Sequence, residues 1–186
     1  MNGAEALKNV ANILKRFPGE SIIVVVSAMG KTTNALERLT DASFYKKENA
    51  AKVLEEIKKN HFDIIEKLFP DKNHSIYNEI HNAFVELDWS IEEEPVHPYD
   101  HAYDQIVCMG EVISTKITSA YLKEVGIKNN WLDARDVIKT DNTYREGKVD
   151  WVLTEKLILE KFSSSFSGEI VVTQGFIGGT SENFTT

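Results

Sequence analysis

The segment VVVSAMGKTTNAL, residues 24–36, contains Gly30-Lys31-Thr32, the tripeptide with which the phosphate-binding P-loop GxxxxGK[ST] ends. A complete P-loop needs another glycine five residues before Gly30, because its backbone N–H groups wrap the phosphate. Position 25 is Val25 instead. Three interpretations stay open at this point: a degraded nucleotide site, a chance tripeptide, or part of a different phosphate-transfer architecture.

Further candidate residues lie after predicted strands or inside a predicted helix. Glu111 is the single carboxylate of CMGEVISTKITSAYL, and Asp133 and Arg135 lie in WLDARD. Each candidate also has a plainer interpretation. Thr33, or Thr32 beside it, could cap a helix, and Glu111 could be a first-turn carboxylate that the helix dipole favours. Asp133 and Arg135 could be an ion pair that fixes a loop.

A glycine-rich segment, TQGFIGG, follows the last predicted strand and is a candidate substrate or phosphate loop. Glycine allows the backbone to approach a ligand closely, although the same residues also make ordinary turns. Together with the end of the first strand, this loop supplies Ser27, Gly175, Phe176, Gly178 and Gly179 as candidates.

Composition narrows the class of protein. The 186 residues carry a net charge of -8 and are 42% hydrophobic, which predicts a folded domain, or a large part of one, that binds neither nucleic acid nor membrane. The single cysteine, Cys108, excludes an internal disulfide and a CxxC metal site, and we expect it to be a small buried hydrophobic residue. No metal site and no membrane span are expected, and the predicted compartment is the cytoplasm.

Hydrophobic periodicity predicts the elements that must position these residues. The predicted helices cover residues 4–17, 48–69, 73–88, 102–125 and 151–162, and the predicted strands cover 21–27, 130–133 and 169–174. The helices at 48–69 and 73–88 form a predicted antiparallel hairpin. SIIVVVS is a β-branched run without alternation, which predicts a strand buried on both faces of a parallel sheet. The alternation of helices and strands indicates an α/β layered fold that is part of a larger domain.

Four segments, taken together and in order, resemble the N-terminal catalytic half of aspartate kinases, in the amino acid kinase family. They are VVVSAMGKTTNAL, CMGEVISTKITSAYL, WLDARDVIKTD and VVTQGFIGG, and the resemblance covers nearly the whole chain. It implies an α/β fold, a three-layer αβα sandwich of the carbamate kinase-like type. The sheet would be mainly parallel, with a helical hairpin inserted at about residues 48–88.

The resemblance also implies roles. Thr33 and Glu111 would bind the aspartate substrate, and Lys31 would fall at a variable position, which makes the P-loop likeness accidental. Aspartate kinases transfer the γ-phosphoryl group of ATP to the side-chain carboxylate of L-aspartate, at the start of lysine, threonine and methionine synthesis. The implied partners are L-aspartate, ATP with Mg²⁺, and further copies of the same chain. No catalytic residue is assigned within these residues.

The departures from the family pattern define the expected extent of the domain. The family motif KFGGTS, with its phosphate-proximal lysine, and the motif GRxGSD are not found in the sequence. We therefore expect residues 1–186 to be a partial amino acid kinase domain, without the nucleotide-binding half and the regulatory domains. Such a chain would bind no cofactor tightly and would be inactive alone. The alternatives are a glutamate or acetylglutamate kinase, against which WLDAR and the long hairpin argue, or a non-catalytic α/β binding module.

Overall fold

The structure is a computed structural model that describes residues 3–92, 94–162 and 167–186. Helices separate the three strands along the chain, as the sequence predicts. In order they are α1 Gly3–Leu14, β1 Ile22–Val26, α2 Thr32–Tyr45, α3 Ala50–Leu68, α4 Ile76–Glu92, α5 Tyr99–Val107, α6 Met109–Glu124, β2 Asn130–Trp131, α7 Ala134–Val137, α8 Trp151–Phe162 and β3 Ile170–Gln174.

The three strands form one parallel sheet in the order β1-β3-β2. The register pairs Val24 and Trp131 with Val172, a central β3 residue that is completely buried. Because all strands run in one direction, their carboxyl ends meet at the same edge of the sheet. The predicted mainly parallel sheet is confirmed, and its geometry collects the candidate site residues at one edge.

Helices cover the two faces of the sheet unequally. The large core lies between one face and helices α1 to α6, and α6 contacts all three strands. On the other face, Leu132, Val137 and Val171 form a smaller cluster with partly buried residues of α8. The arrangement is the predicted αβα sandwich, with a thinner second helical layer.

The prediction that the first strand is buried on both faces is wrong for this chain. Ile23 is 48% exposed and Val25 is 61% exposed, whereas Val26 packs into the core. The smaller cluster packs residues of α7 and α8 against Val171 of β3 and Leu132 after β2, and it includes no residue of β1. A β-branched run reports the tendency to be a strand, while its burial depends on which elements cover it.

Helices α3 and α4 form the predicted hairpin. Asn49 begins α3, and its side chain accepts a hydrogen bond from Lys52 N at 3.0 Å, as an N-cap residue does. The hairpin packs through buried residues of both helices, among them Ile57 and Ile65 of α3 and Phe84 of α4. The α4 helix extends to Glu92, four residues beyond the predicted end.

The predicted long helix at 102–125 is two helices that meet at Cys108. The first of them, α5, also begins three residues earlier than predicted, at Tyr99. Cys108 keeps helical backbone angles, φ -57° and ψ -25°, so the hydrophobic pattern continues through the junction and does not reveal it. The junction matters for the site because the second helix starts two residues before Glu111.

Candidate active site

The turn after β1 is fastened to the first turn of α6. The backbone N–H of Ala28 donates to Glu111 Oε1 at 3.1 Å, and Ser114 Oγ donates to the carbonyl oxygen of Ser27 at 2.9 Å. Gly110 permits this approach, since a Cβ atom there would lie 3.0 Å from the Cβ of Ala28. The Glu111 carboxylate is therefore held beside the carboxyl end of β1.

A cleft of about 470 Å³ opens at this edge of the sheet. It brings together four of the predicted site residues: Ser27, Thr33, Glu111 and Phe176. The remaining residues that line it are Tyr103, Asp104, Val107, Cys108, Arg145, Ile177, Thr185 and Thr186.

Glu111 is the chemically distinctive group of the cleft. Its residue is 7% exposed, and burial raises the pKa of the carboxyl group, while the hydrogen bond from Ala28 N opposes that rise. Within the described residues, no basic side chain forms an ion pair with it. Its position in the first turn of α6 lets the helix dipole favour the ionised form. The carboxylate can therefore accept a cationic group from a ligand.

A second buried carboxylate, Asp104, lies in the same cleft. Its Oδ2 accepts a hydrogen bond from the backbone N–H of Arg145 at 2.6 Å, and burial raises its pKa. The Arg145 guanidinium lies over the ring of Tyr103, 4.2 Å from the centroid. Asp104 thus fixes the position of a loop that carries a cation to the cleft.

Thr33 does not cap α2, so the capping interpretation is wrong. The N-cap residue is Lys31, which makes no side-chain cap hydrogen bond, and Thr32 N donates to Met29 O at 3.0 Å. The helix therefore begins at Thr32, which is buried, whereas Thr33 is exposed and lines the cleft.

Lys31 lines a different cavity, which it shares with Gly30 and His61. It is not among the residues that line the cleft with Glu111. This separation supports the interpretation that the likeness of GKT to a P-loop is accidental.

Asp133 and Arg135 form a closed ion pair outside the lining of the cleft. Arg135 Nε donates to Asp133 Oδ1 at 2.9 Å, and Nη2 donates to Oδ2 at 2.6 Å. Asp133 also caps α7 by accepting from Arg135 N at 3.0 Å. Although burial acts in the opposite direction, the Arg135 guanidinium holds the pKa of Asp133 below its usual range. This is the geometry expected of the loop-supporting interpretation.

The glycines of the GFIGG loop have separate surroundings. Phe176 has φ 63°, is 95% exposed and lines the cleft. A Cβ atom on Gly178 would lie 2.7 Å from Thr140 Cγ2, and one on Gly179 would lie 2.7 Å from Arg135 O. Gly175 lies beside Val25 of β1. The structure thus places Gly178 and Gly179 in close packing contacts, and Phe176 at the cleft.

A buried hydrogen-bond network that the sequence did not reveal connects the sheet to α6. Gln174, at the end of β3, donates through Nε2 to Thr115 Oγ1 at 2.7 Å, and its Oε1 accepts from Ala134 N at 2.7 Å. Trp131 Nε1 also donates to Thr115 Oγ1, at 3.0 Å. Thr115 lies one turn after Glu111 and donates to its carbonyl oxygen at 2.9 Å. The network fixes the helix that carries Glu111 relative to β3.

The last residues of the chain form one wall of the cleft. The side-chain amide of Gln105 donates to Thr185 O at 2.9 Å and accepts from Thr185 N at 2.9 Å. Beneath this contact, the Cys108 thiol lies 3.6 Å from Thr185 Oγ1 and is buried, as the sequence analysis expected. The wall is therefore fastened to α5 by a two-point contact.

Several cleft residues were missed by the sequence analysis. Asp104, Cys108 and Glu111 follow one another at spacings of four and three residues, which places them on one helical face. That spacing could have identified Asp104. No comparable signal marks Arg145, because contacts with residues distant in sequence, among them the hydrogen bond to Asp104, bring its loop to the cleft.

Two further observations concern the described residues as a set. In residues 3–92, 94–162 and 167–186, no three histidine, cysteine, aspartate or glutamate side chains come together as a metal site would require. Nor does any helix in these ranges combine the length and apolar character needed to cross a bilayer.

Comparisons with known proteins identify the family of this chain. The model of the amino acid kinase family matches residues 1–186. The bifunctional aspartokinase/homoserine dehydrogenase 1 of Zea mays is 27% identical over 190 residues, which cover 100% of this chain and 20% of that protein. Aspartokinase 1 of Arabidopsis thaliana is 32% identical over 145 residues, which cover 75% of this chain and 25% of that protein.

A solved structure shows the same architecture. Aspartokinase III of E. coli, in complex with lysine and aspartate, matches with a TM-score of 0.86 at 25% identity, over 100% of this chain and 42% of that one. The chain thus spans about a fifth to a quarter of the two curated relatives, and less than half of the solved protein. With the family model matching from the first residue to the last, the chain belongs to the amino acid kinase family.

Proposed function

We propose that the full-length protein is an aspartate kinase and that this chain supplies its amino-acid-binding half. One observation carries the proposal: the cleft at the carboxyl edge of the sheet contains Glu111, a buried carboxylate without a basic partner among the described residues, beside Thr33. An α-amino acid brings the ammonium group that such a carboxylate binds. The names of the curated relatives, and the aspartate bound to the E. coli enzyme, support aspartate as that amino acid.

The reaction explains why the cleft needs no general base. A free aspartate side chain has a pKa of about 3.9 and is already ionised near neutral pH. One of its carboxylate oxygens forms the new bond to the γ-phosphorus of ATP, and the bond between that phosphorus and the β,γ-bridging oxygen breaks. The products are ADP and the acyl phosphate 4-phospho-L-aspartate. No proton has to be removed from the nucleophile.

Positioning is then the main task of this chain. Glu111 binds the substrate ammonium, and the hydrogen bond from Ala28 N holds its carboxylate in place. Thr33, on the first turn of α2, offers a hydroxyl group at the same cleft. Two anionic reactants must be held in line, and orientation of this kind contributes several powers of ten to a rate.

ATP is the proposed phosphoryl donor, and the metal ion that accompanies ATP is treated as part of that substrate. The described residues contain no cluster that fits a resident Mg²⁺, so no step of the reaction is assigned to one. We further propose that the protein serves amino-acid biosynthesis, self-associates and is cytoplasmic. The names of the plant relatives place those proteins in chloroplasts.

The test is a substrate panel with the full-length protein. L-Aspartate, L-glutamate and N-acetyl-L-glutamate are compared with ATP and Mg²⁺, and acyl phosphate is trapped as the hydroxamate while ADP release is followed. We expect hydroxamate formation with L-aspartate at a kcat/KM at least tenfold above either alternative, since a cleft shaped for one chain length discriminates by about that factor per methylene. Preference for either other substrate, or binding without turnover, would refute the proposed function.

A further inference from the structure

We propose that Arg145 binds a carboxylate of the amino-acid substrate, so that the cleft recognises both charges of a zwitterion. The inference rests on the proposed function, because it takes the ligand of Glu111 to be an amino acid. Among the described residues that line the cleft, Arg145 is the single basic one, and it faces the same space as Glu111 and Thr33.

The backbone of Arg145 is in an unfavourable conformation. Its φ is 66°, in the left-handed region that glycine adopts readily and that other residues seldom adopt. Residues held in such conformations cluster at binding and catalytic sites, where surrounding contacts enforce them. Here the enforcing contact is the 2.6 Å hydrogen bond from Arg145 N to the buried Asp104 carboxylate. Glycine would suit the backbone better, which indicates that the side chain has a use.

The guanidinium group is oriented but keeps capacity for a ligand. It lies over the Tyr103 ring at 4.2 Å, a cation–π contact that restricts its motion. Its ion pair with Asp100, at 3.7 Å, is longer than a hydrogen bond, and both side chains are substantially exposed. Asp104 accepts from the backbone of Arg145. A planar guanidinium with donors of this kind matches a carboxylate at two points.

The reaction offers Arg145 two anionic partners, a carboxylate of the amino acid and the phosphates of the nucleotide. Glu111 fixes the ammonium end of an amino acid inside the cleft, and a carboxylate of the same molecule can reach a neighbouring wall. Arg145 N is held by Asp104, which lies seven residues before Glu111 on the adjoining helix. The nucleotide phosphates carry the other anionic charge, and we assign Arg145 to the amino acid and not to them.

The experiment uses the full-length protein with Arg145→Gly, Arg145→Lys and a matched control. Arg145→Gly removes the guanidinium and relieves the backbone, so the melting temperature should be unchanged or higher. Lys46 is the control because it is also a basic residue with a positive φ, 54°, at the end of α2, and it is not among the residues of the cleft. Lys46→Gly likewise replaces a basic residue of positive φ by glycine, outside the lining of the cleft.

We expect Arg145→Gly to raise both the aspartate KM and the calorimetric Kd at least about tenfold, the loss typical of a charge-assisted contact. The ATP KM should stay within about twofold, Arg145→Lys should recover part of the affinity, and Lys46→Gly should behave as wild type. An unchanged aspartate affinity, an effect on ATP alone, or equal losses for both substrates with a lower melting temperature would each overturn the inference.

The calorimetric measurement separates this inference from the proposed function. If the wild-type protein binds aspartate without phosphorylating it, the kinase proposal fails, and the Kd values of the variants still decide the role of Arg145. If the wild-type protein binds no aspartate, both proposals fail.

Discussion

Glu111 is buried and Asp133 is half-buried near the carboxyl edge of one sheet, and the two carboxylates differ in what neutralises them. Asp133 is held by a two-point ion pair with Arg135 and caps a helix. Glu111 has the N–H of Ala28 and no basic partner among the described residues. The first arrangement is complete without a ligand. The second leaves a buried charge that a ligand can complete, which is the difference we expect between a supporting residue and a binding residue.

Substitution of Glu111 is the most direct test of this difference between the two carboxylates. In the full-length protein, Glu111→Gln should lower kcat/KM for aspartate by about ten- to a hundredfold while the ATP KM changes little, because a charge-assisted contact is lost. The glutamine oxygen can still accept from Ala28 N, and a buried charge is removed, so the melting temperature should stay the same or rise. Steady-state kinetics measure the change in kcat/KM, and thermal unfolding measures the change in melting temperature. Unchanged aspartate kinetics would show that Glu111 is structural.

The opposite pattern is expected at Arg135. Arg135→Met leaves the half-buried Asp133 without its guanidinium partner and should lower the free energy of unfolding by about 1.5–3 kcal/mol, with a smaller effect on the aspartate KM. Denaturant titration gives the first quantity and steady-state kinetics the second. Lys59→Met, in the exposed pair with Asp63, is the matched control and should cost much less. A loss of aspartate binding at full stability would place Arg135 in the substrate site.

The two carboxylates should also respond to pH in opposite directions. The pKa of Glu111 is raised by burial, so its contribution to stability is present below the unfolded-state pKa and is lost as the pH rises through the raised folded value. The pKa of Asp133 is lowered, because Arg135 outweighs burial. Its contribution is present above the unfolded-state pKa and is lost as the pH falls through the lowered value.

For catalysis, the raised pKa of Glu111 sets an acid limit. Aspartate kcat/KM should fall as the pH drops through that raised pKa, since the ammonium group needs the ionised carboxylate. The pH–rate profile of Glu111→Gln should lack this decrease of kcat/KM at low pH, whereas the profile of Lys59→Met should keep it. An identical acid limb in wild type and Glu111→Gln would assign it to another group.

The smallest effect is expected at Lys31. Lys31→Ala in the full-length protein should leave the ATP KM within about twofold, because Lys31 lines a cavity other than the cleft. A P-loop lysine contacts the β- and γ-phosphates, and its loss reduces turnover by orders of magnitude. A collapse of turnover in this variant would restore the P-loop interpretation of Gly30-Lys31-Thr32.

Local patterns predicted the parts of the fold that depend on local physics. The β-branched runs around Val24 and Val172 gave the parallel strands, and the chain order of the motifs brought Thr33 and Glu111 to one cleft. The family resemblance, not periodicity, singled out those two residues. The sheet edge then followed from the shared direction of the strands.

What could not be predicted depends on distant contacts. The exposure of Val25 depends on how far α7 and α8 reach across the sheet, and the helix junction at Cys108 keeps helical angles. Arg145 reaches the cleft through a hydrogen bond to a residue 41 positions earlier in the chain. Sequence spacing does not indicate such a hydrogen bond, so the sequence could not predict that Arg145 lies at the cleft.

Cys108, the single cysteine of these 186 residues, lies beneath the terminal wall of the cleft and can report on movement of that wall. Burial raises the pKa of Cys108 to about 11, so little thiolate exists near neutral pH, and we expect an alkylating dye to react faster when the Thr185 segment separates from Gln105. The labelling rate of Cys108 should therefore report movement of that wall. We expect a ligand that binds in the cleft to slow the labelling of Cys108, and a compound that displaces the Thr185 segment to accelerate it. The labelling rate of one buried cysteine could therefore be used to screen for cleft ligands.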